Sequence, residues 1–170
     1  MPNFLYLPGW EQHDVEELDD QFVVTAEYQP EPKTCAKCGV VGQLYRHGPV
    51  TREYRDEPSH GLPVTIKATR YRYKCRACTS TFLQPLPDME EKHRMTVRCR
   101  EYIAEQALRE PFTKVAEEVG VDEKVVRQIA DEHITALNAT YRAEAPRVLG
   151  IDELTLDGKL RVMLTDIDRR

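Results

Sequence analysis

Four cysteines carry the clearest chemistry in this chain. Cys35-Ala-Lys-Cys38-Gly is answered, across thirty-six intervening residues, by Cys75-Arg-Ala-Cys78. Each Cys-x-x-Cys pair closes one tight turn, and two such turns face four thiolates inward as the tetrahedral sulfur shell that zinc prefers. Gly39 suits the turn after the first pair. Two disulfides or a thioredoxin-like redox pair are the competing readings of the same residues. A four-sulfur shell leaves no open coordination position, so zinc held there folds the chain and does not catalyse. His47 and His60 lie between the pairs, but four cysteines complete the shell, which leaves both histidines as loop residues.

The elements that must position these thiols are short strands. Tyr45-Arg-His-Gly48 and Asp56-Glu-Pro-Ser-His-Gly-Leu-Pro63 carry turn chemistry, and Val64 to Lys74 has the residue types of a strand, so the insert is expected to be hairpins. Period-two alternation puts Arg70, Arg72 and Lys74 on one side of that strand and Tyr71, Tyr73 and Cys75 on the other. The basic row could track phosphates or be a solvated face. Gln21 to Tyr28 reads as a further strand leading into the ribbon, and the acidic run Glu11 to Asp20 as a solvated face or loop. Phe82 to Met89, with Pro85 and Pro87, reads as a linker or extended packing segment.

Helical patterning begins at Thr96. Cys99, Ile103 and Ala107 share a stripe with Tyr102, which makes Cys99 a small core residue and not a fifth ligand. From Phe112 to Ile129 the pattern is that of a helix-turn-helix. Val115, Ala116 and Val119 form the inner face of a first helix, Gly120 the turn, and Asp122 the cap of a second helix with Val125, Val126 and Ile129 inside. Its outer face would offer Glu123, Lys124, Arg127, Gln128 and Asp131 to a DNA groove, with Lys124, Arg127 and Gln128 the candidate DNA contacts; an ordinary helical hairpin is the bland alternative. The stripe continues through Ile134, Leu137 and Tyr141, so this helix is long and ends before Pro146. Beyond it, two short apolar strands flank a turn at Asp157-Gly158.

Charge is segregated. The formal total is -5, made of -8 over residues 1–32, +7 over 33–109 and -4 over 110–170. A polyanion responds to local potential, so the basic middle is the electrostatic candidate for nucleic acid. No apolar run approaches the roughly twenty residues of a transmembrane helix. Met1 to Trp10 lacks the basic start of a signal sequence, which points to the cytoplasm, where thiols stay reduced and metal binding is favoured.

These parts occur in a recognisable order: Cys35-Ala-Lys-Cys38-Gly; Asp56 and Gly61-Leu-Pro-Val64; Arg70-Tyr-Arg-Tyr-Lys-Cys75-Arg-Ala-Cys78 with Thr81-Phe82; the helical pair from Phe112; and Leu149-Gly-Ile-Asp152-Glu153. Over nearly its whole length the sequence resembles bacterial insertion-sequence transposases of the ISL-three family. The resemblance implies a zinc-binding module and a helix-turn-helix that recognise terminal inverted repeats in double-stranded DNA. It further implies an RNase H-like domain that cuts and joins DNA with magnesium through an Asp, Asp, Glu triad. Asp152 matches the first Asp of that triad. The family's later carboxylates come from further along a longer catalytic domain, and Asp166 and Asp168, on or beside the second strand, do not replace them. The resemblance therefore implies a truncated transposase or its DNA-binding fragment, at the bacterial nucleoid and without strand cleavage of its own. The expected fold is α+β: a β-rich zinc ribbon with its N-terminal strand over 1–88, a helix-turn-helix domain with a connector helix over 89–145, and over 146–170 a β-hairpin remnant of the RNase H-like domain. The exposed edge and apolar face of that hairpin favour a homodimer. Two other functions remain open: a transposase completed by another chain, and a zinc-ribbon module that binds protein or RNA.

Overall fold

The structure is a computed structural model describing residues 4–142 and 144–168. It divides into two compact units, Met1–Ile134 and Thr135–Arg170.

The first unit is built on one long hairpin. β3 (Leu44–Ser59) and β4 (Leu62–Cys75) run antiparallel, joined by a two-residue turn at His60 and Gly61. Both turn residues have positive φ, 52° and 78°, the conformation whose twist matches that of the flanking strands. Of the two stretches expected as turns, Asp56 to Pro63 supplies this turn, though only at His60 and Gly61. Tyr45 to Gly48 and Asp56 to Ser59 lie within β3, where each marks a register shift in the pairing. Irregularities of this kind absorb the Gly and Pro residues that read as turn signals while the strand continues.

Around the hairpin the sheet runs β1-β2-β4-β3-β7-β6, with β1 (Trp10–Glu17), β2 (Phe22–Tyr28), β6 (Met89–Glu90) and β7 (Met95–Thr96). β2 lies parallel to β4 from Val64 to Thr69, and β5 (Thr81–Leu83) pairs with β4 at Arg72 to Lys74. Between them the fully buried Gln84 completes the ladder. Its Oε1 accepts from Tyr71 N at 2.8 Å, and its Nε2 donates to the carbonyls of Tyr28 and Pro30 at 3.1 and 2.6 Å. The acidic run is largely strand with a solvated face: β1 is an edge on which Glu11, Asp14, Glu16 and Glu17 are exposed, and charges on an edge discourage pairing with another chain.

Trp10, Val24, Tyr54, Ile66 and Met89 are among the residues of the sheet's core. A second cluster, Met95, Cys99, Ile103, Val115, Val119, Val126 and Ile129 among it, joins α1 (Val97–Gln106), α2 (Phe112–Val119) and α3 (Glu123–Thr140). Thr96 caps α1, its Oγ1 accepting from Cys99 N at 3.1 Å. Cys99 is fully buried, and burial pushes its thiol well above the usual range, as befits a core residue.

In the second unit, β8 (Leu149–Leu156) and β9 (Lys159–Asp166) form a hairpin about Asp157-Gly158. Direct pairing places Ile151 with Leu164 and Glu153 with Val162 on one face, and Asp152 with Met163 on the other.

Candidate metal centre and nucleic-acid interface

Two knuckles bring the four thiols together. In the first, Gly39 N donates to Cys35 O and Cys35 N to Val40 O, both at 2.9 Å; in the second, Cys75 N donates to Ser80 O at 3.0 Å. Gly39 at φ 72° and Thr79 at φ 58° turn the chain tightly enough for the sulfurs to face one another. Cys35 and Cys78 Sγ stand 3.7 Å apart and Cys38 and Cys75 Sγ 3.8 Å, and all four lie within 4.8 Å of one another. A tetrahedron with Zn–S bonds of about 2.3 Å spaces its sulfurs about 3.8 Å apart, whereas a disulfide needs about 2 Å. The geometry fits zinc, and no disulfide is formed among the four.

The local donors favour thiolate at two positions. Backbone N–H groups of Cys38 and Lys37 hold the Cys35 thiol below its ordinary value, and the Ser80 hydroxyl and N–H pull Cys78 down to about 6. At Cys38 the Val40 N–H also favours thiolate, but the neighbouring thiols and burial outweigh it and push that group up to about 12. Four thiols cannot all ionise this close together unless a cation neutralises them. Cys35, Cys38, Cys75 and Cys78 thus make a closed site for a structural zinc ion, with no position left for catalysis.

The helical pair has the shape its sequence foretold. Gly120 ends α2 in the left-handed conformation, φ 74°, its N–H donating to Ala116 O at 2.9 Å. Asp122 Oδ1 accepts from Lys124 N at 2.8 Å and so caps α3. Lys124, Arg127, Gln128 and Asp131 occupy the exposed face of α3, with Val126, Ile129 and Ala130 buried beneath. Arg127 pairs with Glu123 at 2.6 Å, its guanidinium 5.3 Å from the centre of the Phe112 ring. Gln128 lies 3.3 Å from His93 Nε2 and 3.4 Å from Glu132. Glu132 holds both Lys92 and Arg100, and these cations draw its carboxyl down to about 2.

One residue of the expected basic row must be struck out. Arg72 is exposed and Lys74 half-exposed, but Arg70 is only 5% exposed. Its Nη1 pairs with Glu91 at 2.7 Å and donates to Gln84 O at 3.3 Å. Alternation gave the correct side of β4; what it could not give is that the segment from Gln84 to Glu91 folds back over that side at Arg70. Arg70 is a buried guanidinium already paired with the half-exposed Glu91.

Little in the residue pattern signals what welds hairpin to helices. Asp56, 2% exposed, accepts from Thr96 Oγ1 at 2.6 Å and takes both Nε and Nη2 of Arg98, tying β3 to the start of α1. At the helix-turn-helix turn, a Cβ added to Gly120 would stand 3.1 Å from Pro63 Cβ and 3.3 Å from the Arg55 guanidinium. The only hint was Asp56 amid apparent turn residues. In the second unit Asp152 is exposed on β8, its Oδ1 accepting from Glu153 N at 2.8 Å; Asp168 pairs with Arg147 at 2.8 Å.

A zinc ribbon continuous with a helix-turn-helix defines a DNA-binding module of the kind transposases carry. Residues 31–78 match the family model described as the zinc-finger of transposase IS204/IS1001/IS1096/IS1165, and residues 84–134 match the helix-turn-helix domain of transposase family ISL3. The chain belongs to the ISL3 transposase family. Searches of curated proteins and of solved structures return no match. Among the described residues, no helix is long and apolar enough to cross a membrane.

Proposed function

We propose that this chain is the recognition portion of a transposase and reads the terminal inverted repeats of an insertion sequence at the bacterial nucleoid. The observation that carries the reading is the polar face of α3, Lys124, Arg127 and Gln128, standing free of the core on a helix-turn-helix braced by the zinc-held hairpin. α3 enters the major groove; guanidinium and amide groups pair bidentately with guanine and adenine edges, and Lys124 meets the backbone. Arg127 is available because an exposed i,i+4 ion pair is worth no more than about 0.5 kcal/mol. Arg72 and Lys74 on the hairpin contribute phosphate contacts. Two copies of the chain match the two-fold relation between inverted repeats.

In this reading, residues up to 88 and from 89 to 145 do the recognising, and 146–170 open an RNase H-like sheet on which Asp152 is the first catalytic carboxylate. Two-metal strand transfer with magnesium needs several carboxylates, of which Asp152 supplies one. A mobility-shift titration tests the proposal, with a duplex carrying the terminal repeat of the element that encodes the chain and a scrambled duplex of equal length. Preference for the repeat supports it. Equal affinity for the two duplexes overturns it.

A further inference from the structure

A single histidine joins the edge of the sheet to the polar face of α3. His93 lies in the turn between β6 and β7, its side chain only 6% exposed. Its Nδ1 stands 2.8 Å from Glu90 Oε2, and its Nε2 stands 3.3 Å from Oε1 of the exposed Gln128. At the other end of that amide, Gln128 Nε2 donates to Glu132 Oε1 at 3.4 Å. One line of hydrogen bonds thus runs from Glu90 through His93 and Gln128 to Glu132.

Both ends of the line only accept. Burial opposes ionisation of Glu90, but the N–H groups of His93 and Lys92, donating to it at 2.9 and 2.6 Å, draw its carboxyl below the usual range. Glu132 takes Lys92 Nζ at 2.6 Å and Arg100 Nη2 at 2.8 Å, and these cations keep it ionised as well. The charged groups around the ring are therefore Glu90 on β6, Lys92 in the turn, Glu132 on α3 and, behind Glu132, Arg100 on α1.

An ionised carboxylate has no proton to give. His93 Nδ1 must carry a proton toward Glu90, and the Gln128 amide must turn its nitrogen to Glu132. That leaves the amide oxygen, itself only an acceptor, facing His93 Nε2. The ring satisfies both neighbours when both of its nitrogens are protonated. A neutral ring protonated at Nδ1 sets lone pair against lone pair at Gln128, and turning the amide over sets its oxygen against the Glu132 carboxylate. The bridge is complete with the imidazolium and broken without it.

What the bridge leaves over is what a base needs. A carboxamide has two N–H donors and two lone pairs on its oxygen. Glu132 uses one donor and His93 one lone pair; one of each remains, the combination that meets adenine at N7 and N6. Glutamine is among the side chains with the most rotamer freedom to lose. Held at both ends, Gln128 meets the duplex already ordered, which removes that cost from the contact.

We propose that His93 is a positioning residue for recognition: clamped by Glu90, its imidazolium fixes the Gln128 amide against Glu132 so that one N–H and one lone pair stay free for adenine. The proposal rests on α3 reading bases through Gln128. Discrimination then falls as the ring loses its proton.

The test is binding of zinc-loaded full-length protein to a terminal-repeat duplex and to a scrambled one, at about pH 6 and about pH 8, a span across which imidazoles titrate. Wild type is compared with His93→Phe, His93→Ala, Gln128→Ala and the His93→Phe, Gln128→Ala double variant. Repeats carrying 7-deazaadenine, which lacks the N7 acceptor, at one adenine at a time locate the base concerned. Wild type should discriminate more strongly at the lower pH. His93→Phe should lose that pH dependence and about two- to twelve-fold of the discrimination, confined to the adenine so located, with scrambled-duplex affinity unchanged. The loss should vanish in the Gln128→Ala background. Charging of other histidines strengthens binding to both duplexes alike and cancels in the ratio. Equal weakening on both duplexes would give His93 a merely structural part and overturn the proposal. Discrimination and pH dependence that survive both His93→Phe and His93→Ala would also overturn it, as would a His93 effect that persists without Gln128. Discrimination untouched by Gln128→Ala would instead sink base reading by Gln128 itself, and the positioning role with it.

Discussion

Asp56 is a carboxylate removed from water and matched almost completely by donors. A buried charge of this sort is tolerated because Arg98 and Thr96 meet its oxygens, and removing it leaves both donors facing a void. Breaking a buried ion pair costs about 3–5 kcal/mol; Arg98 keeps partial access to solvent, at 32% exposure, which favours the lower end. Asp56→Ala should lose about 3 kcal/mol in denaturant unfolding of the zinc-loaded protein, and a loss under about 1 kcal/mol would show that the contact is not made in solution. The same scale holds the recognition claim. Arg127→Ala and Gln128→Ala should each narrow discrimination between repeat and scrambled DNA by about 1–3 kcal/mol, roughly 5- to 150-fold, while non-specific affinity stays nearly constant. If both leave discrimination intact, α3 is not the reading helix. The zinc ligands were legible because Cys-x-x-Cys spacing is a local geometric fact. Arg70 was misjudged because its burial is made by Gln84 and Glu91, fourteen or more positions away, and no local pattern carries that.

Among the elements, the α2–α3 turn was foreseeable and its neighbour was not. Gly120 between two apolar-periodic segments reveals a left-handed C-cap, but only the fold shows Pro63 and Arg55 closing over it. Comparison with Gly61 separates the two effects, since Gly61 also has positive φ, 78°, and nothing within 4 Å of an added Cβ. Gly61→Ala should cost about 1 kcal/mol for the left-handed conformation alone. Gly120→Ala should cost about 1 kcal/mol more, because neighbours must also shift to admit the methyl. Equal losses in thermal unfolding would mean that the turn does not pack on the hairpin. The acidic run reads equally as a solvated face or a loop for a related reason: its exposed acids lie on an edge strand, where charge guards against pairing.

At the scale of the whole molecule, the zinc centre and the helix-turn-helix adjoin one shared hairpin, and on the proposed function metal binding would support recognition at a distance. Cys75→Ser should abolish stoichiometric zinc by elemental analysis and unfold the zinc end of the hairpin, because metal affinity at such sites is folding free energy. Retention of one zinc per chain would show that the four sulfurs are not the ligands. The most direct measurement is a hydroxyl-radical footprint of the zinc-loaded protein on a terminal-repeat duplex. Two protected backbone patches are expected, one at the α3 site and one under Arg72 and Lys74 of the hairpin, with the second lost when zinc is chelated. A single patch that is indifferent to zinc, or no protection of the repeat at all, would contradict the account.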